Sequence, residues 1–192
     1  MQKKVGVYCA SSDKIDDHYF EVTTQIAQVL TQHQYTVVYG GGGKGLMGRL
    51  ADTVIAQKGH IIGIIPEFMK AVEWEHKGVS ELVVVEDMAE RKKRLMEVDA
   101  LIALPGGSGT FEELLEAITL KRLGKFVHPI IILNHRGYYD PLVELFERSI
   151  QEKFMREEHR NIWTVIHHPE ELIEAIENAP DWDEKAIHFA VV

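Results

Sequence analysis

The chain has 192 residues, 45% of them hydrophobic and 27% charged, enough apolar material for one sizeable core. Its formal net charge of −9 argues against a general nucleic-acid or anionic-membrane binder, because such proteins need a basic face. One cysteine excludes an internal disulfide, the opening residues lack the apolar stretch of an export signal, and no apolar run approaches the roughly 20 residues that span a bilayer, so a cytoplasmic protein is expected.

In chain order, a strand over 4–10 precedes a helix over 16–33, where Phe20, Ile26, Ala27 and Leu30 share a face. A strand over 36–39 runs into Gly40-Gly41-Gly42-Gly43-Lys44-Gly45, and a helix over 46–57 and strands over 60–65 and 81–85 follow. Then come a helix over 88–98, a strand over 100–104, a helix over 110–123, a strand over 129–133, a helix over 141–153, a strand over 162–166 and a helix over 169–178. Strands alternating with helices need crossovers, so the pattern predicts an α/β fold, a Rossmann-like doubly wound parallel sheet with helices on both faces. It spans 1–192 as a single nucleotide-binding domain, with ligand at the carboxyl ends of the strands. Residues 67–80 lack periodicity and read as a lid. The tail, 179–192, is too apolar to be left in water and is expected to dock on the domain or on a partner subunit.

Pro105-Gly106-Gly107-Ser108-Gly109-Thr110-Phe111-Glu112-Glu113 joins the strand over 100–104 to the next helix. Three glycines in four positions permit positive φ and close approach to bare N–H groups, and a helix start adds about half a positive charge, so the turn reads as a phosphate cradle. The two carboxylates behind it would repel phosphate and suit a sugar. A plainer reading makes Thr110 and Glu113 a capping box. The second glycine run is expected to line the same crevice; it lacks the context of a dinucleotide fingerprint, and Lys44 is not followed by the Ser or Thr of a P-loop. Arg91 near a helix start opposes the helix dipole and calls for an anion, either Glu90 or a bound phosphate. Glu73 reads as a surface carboxylate, Thr119 as a hydroxyl bonded to the preceding turn, and Cys9 as a small buried hydrophobe. The ten histidines show no metal-binding spacing, so no metal is expected.

PGGSGTFEE resembles the PGGxGTxEE signature of the LOG family, the cytokinin riboside 5′-monophosphate phosphoribohydrolases, once mislabelled lysine decarboxylases. Val5-Gly6-Val7-Tyr8-Cys9-Ala10-Ser11-Ser12, Val38-Tyr39-Gly40-Gly41-Gly42 with Gly45-Leu46-Met47-Gly48, Met88-Ala89-Glu90-Arg91-Lys92 and Gly137-Tyr138-Tyr139-Asp140-Pro141-Leu142 resemble further family blocks in family order, over about residues 4–155. The resemblance implies catalytic roles for Arg91 and Glu113. It implies substrate binding by Glu73, Arg91, Lys92, Gly106, Gly107, Ser108, Gly109, Thr110, Phe111, Glu112 and Thr119. The interval from Arg91 to Pro105 is one residue shorter than is usual in the family, which leaves Arg94 as a substitute. Leu120-Lys121-Arg122 and Ser108 depart from the family's usual Trp-Ala-Gln and Tyr.

The activity implied is hydrolysis of the N-glycosidic bond of adenine-type nucleoside 5′-monophosphates by a homodimer, without cofactor or metal. The alternative is a non-catalytic nucleotide or molybdenum-cofactor carrier of the same fold. Lysine decarboxylation lacks support, because no lysine stands in a pyridoxal phosphate context.

Overall fold

In the computed structural model, which describes residues 2–70 and 74–189, seven short strands form one all-parallel sheet. In chain order they are β1 (Lys4–Tyr8), β2 (Thr36–Tyr39), β3 (Ile61–Pro66), β4 (Glu81–Val85), β5 (Ala100–Ala103), β6 (Ile130–Leu133) and β7 (Thr164–Ile166). Their spatial order is β4-β3-β2-β1-β5-β6-β7. The chain winds outward from β1 to β4, returns to β5 on the other side of β1, and winds outward again. β1 and β5 pair with Val5 opposite Ala100 and Val7 opposite Ile102, and the direction of winding reverses between them. A crevice opens beyond the strand ends at such a reversal.

Central strands read as unbroken apolar runs because both sheet faces are covered. Helices α1 (Asp17–Gln32), α2 (Gly45–Ala56) and α7 (Leu172–Glu177) pack Ile26, Leu30, Leu50, Val54 and Leu172 on one face. Between α2 and α7 in the chain lie a single turn, α3 (Glu67–Lys70), and the helices α4 (Met88–Leu95), α5 (Ser108–Arg122) and α6 (Asp140–Gln151). The last three cover the other face with Leu95, Leu114, Ala117, Phe146 and Ile150. The expected doubly wound architecture is the one observed.

Element ends differ from the sequence reading where the chain enters the crevice. β1 stops at Tyr8 rather than residue 10, because the Ala10 carbonyl accepts from the Leu46 and Met47 N–H groups at 3.0 and 3.2 Å and so serves the start of α2. α4 ends at Leu95, after which Asp99 and Lys4 exchange backbone and side-chain bonds that lead the chain into β5. β7 begins only at Thr164, a 3₁₀ turn taking Glu157–Ile162, and the last predicted helix splits into a 3₁₀ turn, Pro169–Glu171, and α7. In the stretch read as a lid, the described residues make regular backbone contacts. Beyond α3, the Trp74 carbonyl accepts from Gly43 N–H and His76 N–H donates to the Gly41 carbonyl, both at 2.9 Å, which ties residues 74–76 to the second glycine run. In the tail, Trp182 donates its indole N–H to the Lys121 carbonyl on α5 at 2.5 Å and Ala186 is buried; residues 190–192 lie outside the described part of the chain.

Candidate active site

The crevice has two adjoining lobes, of about 270 and 310 Å³, that share Ser11, Gly40, Met47, Met69 and Arg91. The polar lobe is closed by Gly107, Ser108, Gly109, Thr110, Glu112 and Glu113 from the end of β5 and the start of α5. Ile65, Met69 and Trp74 line the apolar one, with Lys44 at its edge. Together they have the size and mixed lining of a small-molecule site.

α5 starts earlier than its sequence suggests. Gly107 is the N-cap, with φ −92° and ψ −157°, Ser108 is the first helical residue, and no side chain caps the end. Thr110 is therefore inside the first turn, which removes the capping-box reading of Thr110 and Glu113. The N–H groups of Ser108, Gly109 and Thr110 have no intrahelical acceptor and face the crevice with the positive end of the helix dipole. The glycines serve space rather than positive φ. A Cβ on Gly106 would lie 2.1 Å from Thr110 Oγ1, whereas one on Gly107 or Gly109 would meet nothing within 4 Å and would stand where a ligand enters.

Arg91 is buried under the second glycine run. Its Nη1 donates to Glu113 Oε1 at 2.6 Å and its Nε to the Ile64 carbonyl at 3.2 Å. A Cβ on Gly40 would fall 2.3 Å from Arg91 Nη2, so that glycine makes room for the guanidinium. Of the expected anions, Glu90 is not the partner of Arg91: it accepts from Glu86 N–H and lies 3.9 Å from Arg94, and Glu113 meets the guanidinium instead. Arg94 is half exposed and paired with Glu97 at 3.4 Å, so Arg91 is the arginine of the crevice. Burial raises the Glu113 carboxyl above the usual glutamate range, and the charge and hydrogen bond of Arg91 counter part of that rise. A carboxyl whose proton affinity is raised by burial and whose charged form is favoured by an adjoining arginine is suited to act as a base.

Other expected residues are placed differently. Lys92 lies outside the crevice lining, where its Nζ donates to Glu112 Oε1 at 2.5 Å and to Glu116 Oε2 at 3.0 Å, bonds that raise its pKa. Phe111 turns inward, its ring edge-on to Tyr139 at 6.2 Å. Thr119 is exposed and donates to the Leu115 carbonyl at 2.8 Å, two turns beyond Glu112, so the structure does not bring it to the crevice. Glu73 lies outside the described residues. Cys9 lines the polar lobe, but burial pushes its thiol pKa up, which leaves it inert. Sequence reasoning gave no role to Ser11, Met69, Met88 and Trp74. Their signal is position alone, at strand ends and beside the glycine runs.

Residues 47–176 match the family profile described as "Possible lysine decarboxylase". The probable cytokinin riboside 5′-monophosphate phosphoribohydrolase LOGL2 of Oryza sativa subsp. japonica is 37% identical over 186 residues, which cover 96% of this chain and 76% of the relative. The cytokinin riboside 5′-monophosphate phosphoribohydrolase LOG5 of Arabidopsis thaliana is also 37% identical, over 91% of this chain and 77% of its own. Among solved structures, the molybdenum cofactor binding protein of Rippkaea orientalis superposes with a TM-score of 0.70 at 20% identity, over 92% of this chain and 96% of that one. The Moco carrier protein of Chlamydomonas reinhardtii gives 0.70 at 18%, over 93% and 98%. At those identities the structural likeness speaks to the fold alone.

Proposed function

The chain belongs to the LOG family, and we propose that it works as a single nucleotide-binding domain that hydrolyses the N-glycosidic bond of adenine-type nucleoside 5′-monophosphates, including cytokinin riboside 5′-monophosphates. The observation that carries this reading is the buried Arg91–Glu113 pair facing an uncapped helix start across one crevice. The uncapped N–H groups of residues 108–110 bind the 5′-phosphate. That puts the ribose against Glu112 and Glu113 and directs the base toward the apolar lobe.

Breaking the C1′–N bond builds positive charge on the ribose ring, and the Glu113 carboxylate stabilises it. The same carboxylate orients a water and takes its proton as the water oxygen joins C1′. The electron pair of the broken bond leaves on the base, which ends with one proton of the water, and the products are free base and ribose 5-phosphate. Arg91 favours the charged form of Glu113 and holds it in place, and Glu112 binds a ribose hydroxyl. A carrier protein would need the helix start without a buried, arginine-held carboxylate beside it, and that pair favours the hydrolase.

Homodimerisation and a cytoplasmic setting belong to the same reading. Exposed Leu115 on α5 supports the first and the single buried Cys9 thiol the second. The net charge of −9 supports the absence of a nucleic-acid or anionic-membrane partner. Incubation with AMP and with isopentenyladenosine monophosphate, with both products quantified, tests the activity. Free base and ribose 5-phosphate should appear in equal amounts, and base released with free phosphate and ribose would contradict the assignment.

A further inference from the structure

Two consecutive tyrosines after β6 reach the loop that carries the phosphate-binding N–H groups. Tyr139, fully buried, donates its hydroxyl to the Leu104 carbonyl at 2.7 Å, and Tyr138 donates to the Gly106 carbonyl at 2.6 Å. Both are held from behind. Asn134 accepts from Tyr139 N–H at 2.7 Å and donates to Asp140 Oδ1 at 2.6 Å, across a turn in which Arg136 and Gly137 take φ of 54° and 75°. The Tyr138 ring stands edge-on to Tyr139 at 5.1 Å and to Tyr19 of α1 at 5.9 Å.

The carbonyl of one residue and the N–H of the next belong to one rigid peptide plane and point in opposite directions. A hydroxyl that fixes the Gly106 carbonyl on its own side therefore fixes the Gly107 N–H on the other, and Gly107 lines the crevice. Gly107 has no side chain and open space where a Cβ would stand, so no side chain of its own holds that plane. We propose that Tyr138 is a positioning residue that sets the Gly106–Gly107 peptide so that the Gly107 N–H joins those of α5 on the substrate's 5′-phosphate. This inference rests on the hydrolase reading for its ligand, and it adds a residue outside the crevice to the recognition of phosphate.

The test compares wild type with Tyr138→Phe by isothermal titration with ribose 5-phosphate and with adenosine, beside steady-state hydrolysis of AMP. Tyr138 is partly exposed, so the variant should fold, with a thermal midpoint within ~4 °C of wild type. The dissociation constant for ribose 5-phosphate and KM for AMP should rise about tenfold, with kcat changed less than threefold and adenosine affinity unchanged. Unchanged ribose 5-phosphate affinity would overturn the proposal, as would equal weakening of adenosine, which marks a general structural role. Wild type that fails to bind ribose 5-phosphate would overturn it too. If wild type binds ribose 5-phosphate and the variant loses it while neither cleaves AMP, the positioning role stands and the hydrolase reading falls.

Discussion

Arg91 and Lys121 are both buried cations, and their surroundings give them opposite consequences. Arg91 faces the Glu113 carboxyl, so removing it leaves that group buried without its charge partner. Arg91→Met should cost about 3–5 kcal/mol at pH 7 by chemical denaturation. Glu113 already binds its proton more tightly in the folded state than the ordinary value of 4.5, so stability falls as pH rises above that value, and Arg91→Met should deepen the fall. The variant should therefore approach wild type near pH 4.5, and a penalty independent of pH would contradict the pairing. Lys121 has a carbonyl, that of His128 at 2.9 Å, and the Trp182 ring at 6.0 Å, and burial pushes its pKa down to about 8. Between about 8 and 10.5 the unfolded chain keeps the proton that the folded chain sheds, so stability rises with pH there; below 8 the full penalty applies. Lys121→Met should stabilise the protein at pH 7 by about 1–3 kcal/mol, less the lost hydrogen bond, with the gain fading toward pH 10. Neither environment was legible in the sequence. The Arg91–Glu113 contact joins two helices, and Lys121 stands in a charged-looking Lys-Arg pair whose burial depends on the tail.

At the scale of the element, the β5–α5 turn separates glycines that make room for the protein from glycines that make room for ligand. Gly106→Ala drives a Cβ into Thr110 and should lower both stability and activity, whereas Gly107→Ala meets no neighbour and should leave the thermal midpoint unchanged while raising KM for the nucleotide at least tenfold. Equal melting losses in the two variants would remove the distinction. The glycine run marked the turn from sequence alone, because strand, glycines and helix follow one another. The helix start was misjudged by two residues, because Thr and Glu three apart imitate a cap while Gly107 takes the N-cap backbone geometry. Similarly, residues 67–80 lack periodicity, yet their backbone bonds to the second glycine run come from sheet-like pairing of one residue with another far along the chain.

For the whole molecule, the alternation of apolar strands and amphipathic helices was enough to give the layered fold, since few topologies bury both faces of a parallel sheet. It also placed the site, because the reversal of winding between β1 and β5 brings the two glycine runs to one crevice. Which side chains reach into that crevice depends on rotation within each helix, and so Thr119, Phe111 and Lys92 could not be assigned by spacing. Global stability should carry a second pH signature. Burial lowers the pKa of His135 and of fully buried His159, with further lowering by His18 and Arg122 respectively, so the unfolded chain binds protons first on acidification. Stability should therefore drop as pH falls below the ordinary histidine value of 6.5, the loss saturating below the depressed folded values. His159→Gln should flatten that limb of the denaturation profile, and an unchanged slope would contradict it.

The central claim is that Glu113 performs the chemistry while the uncapped start of α5 performs the binding. The most direct measurement is single-turnover release of adenine from AMP by wild type and Glu113→Gln, with ribose 5-phosphate affinity determined on both proteins. The account predicts that the variant loses about 10²–10⁴-fold in rate and keeps its affinity within threefold. A variant that releases base at the wild-type rate would contradict it and return Glu113 to the role of a counter-ion for Arg91.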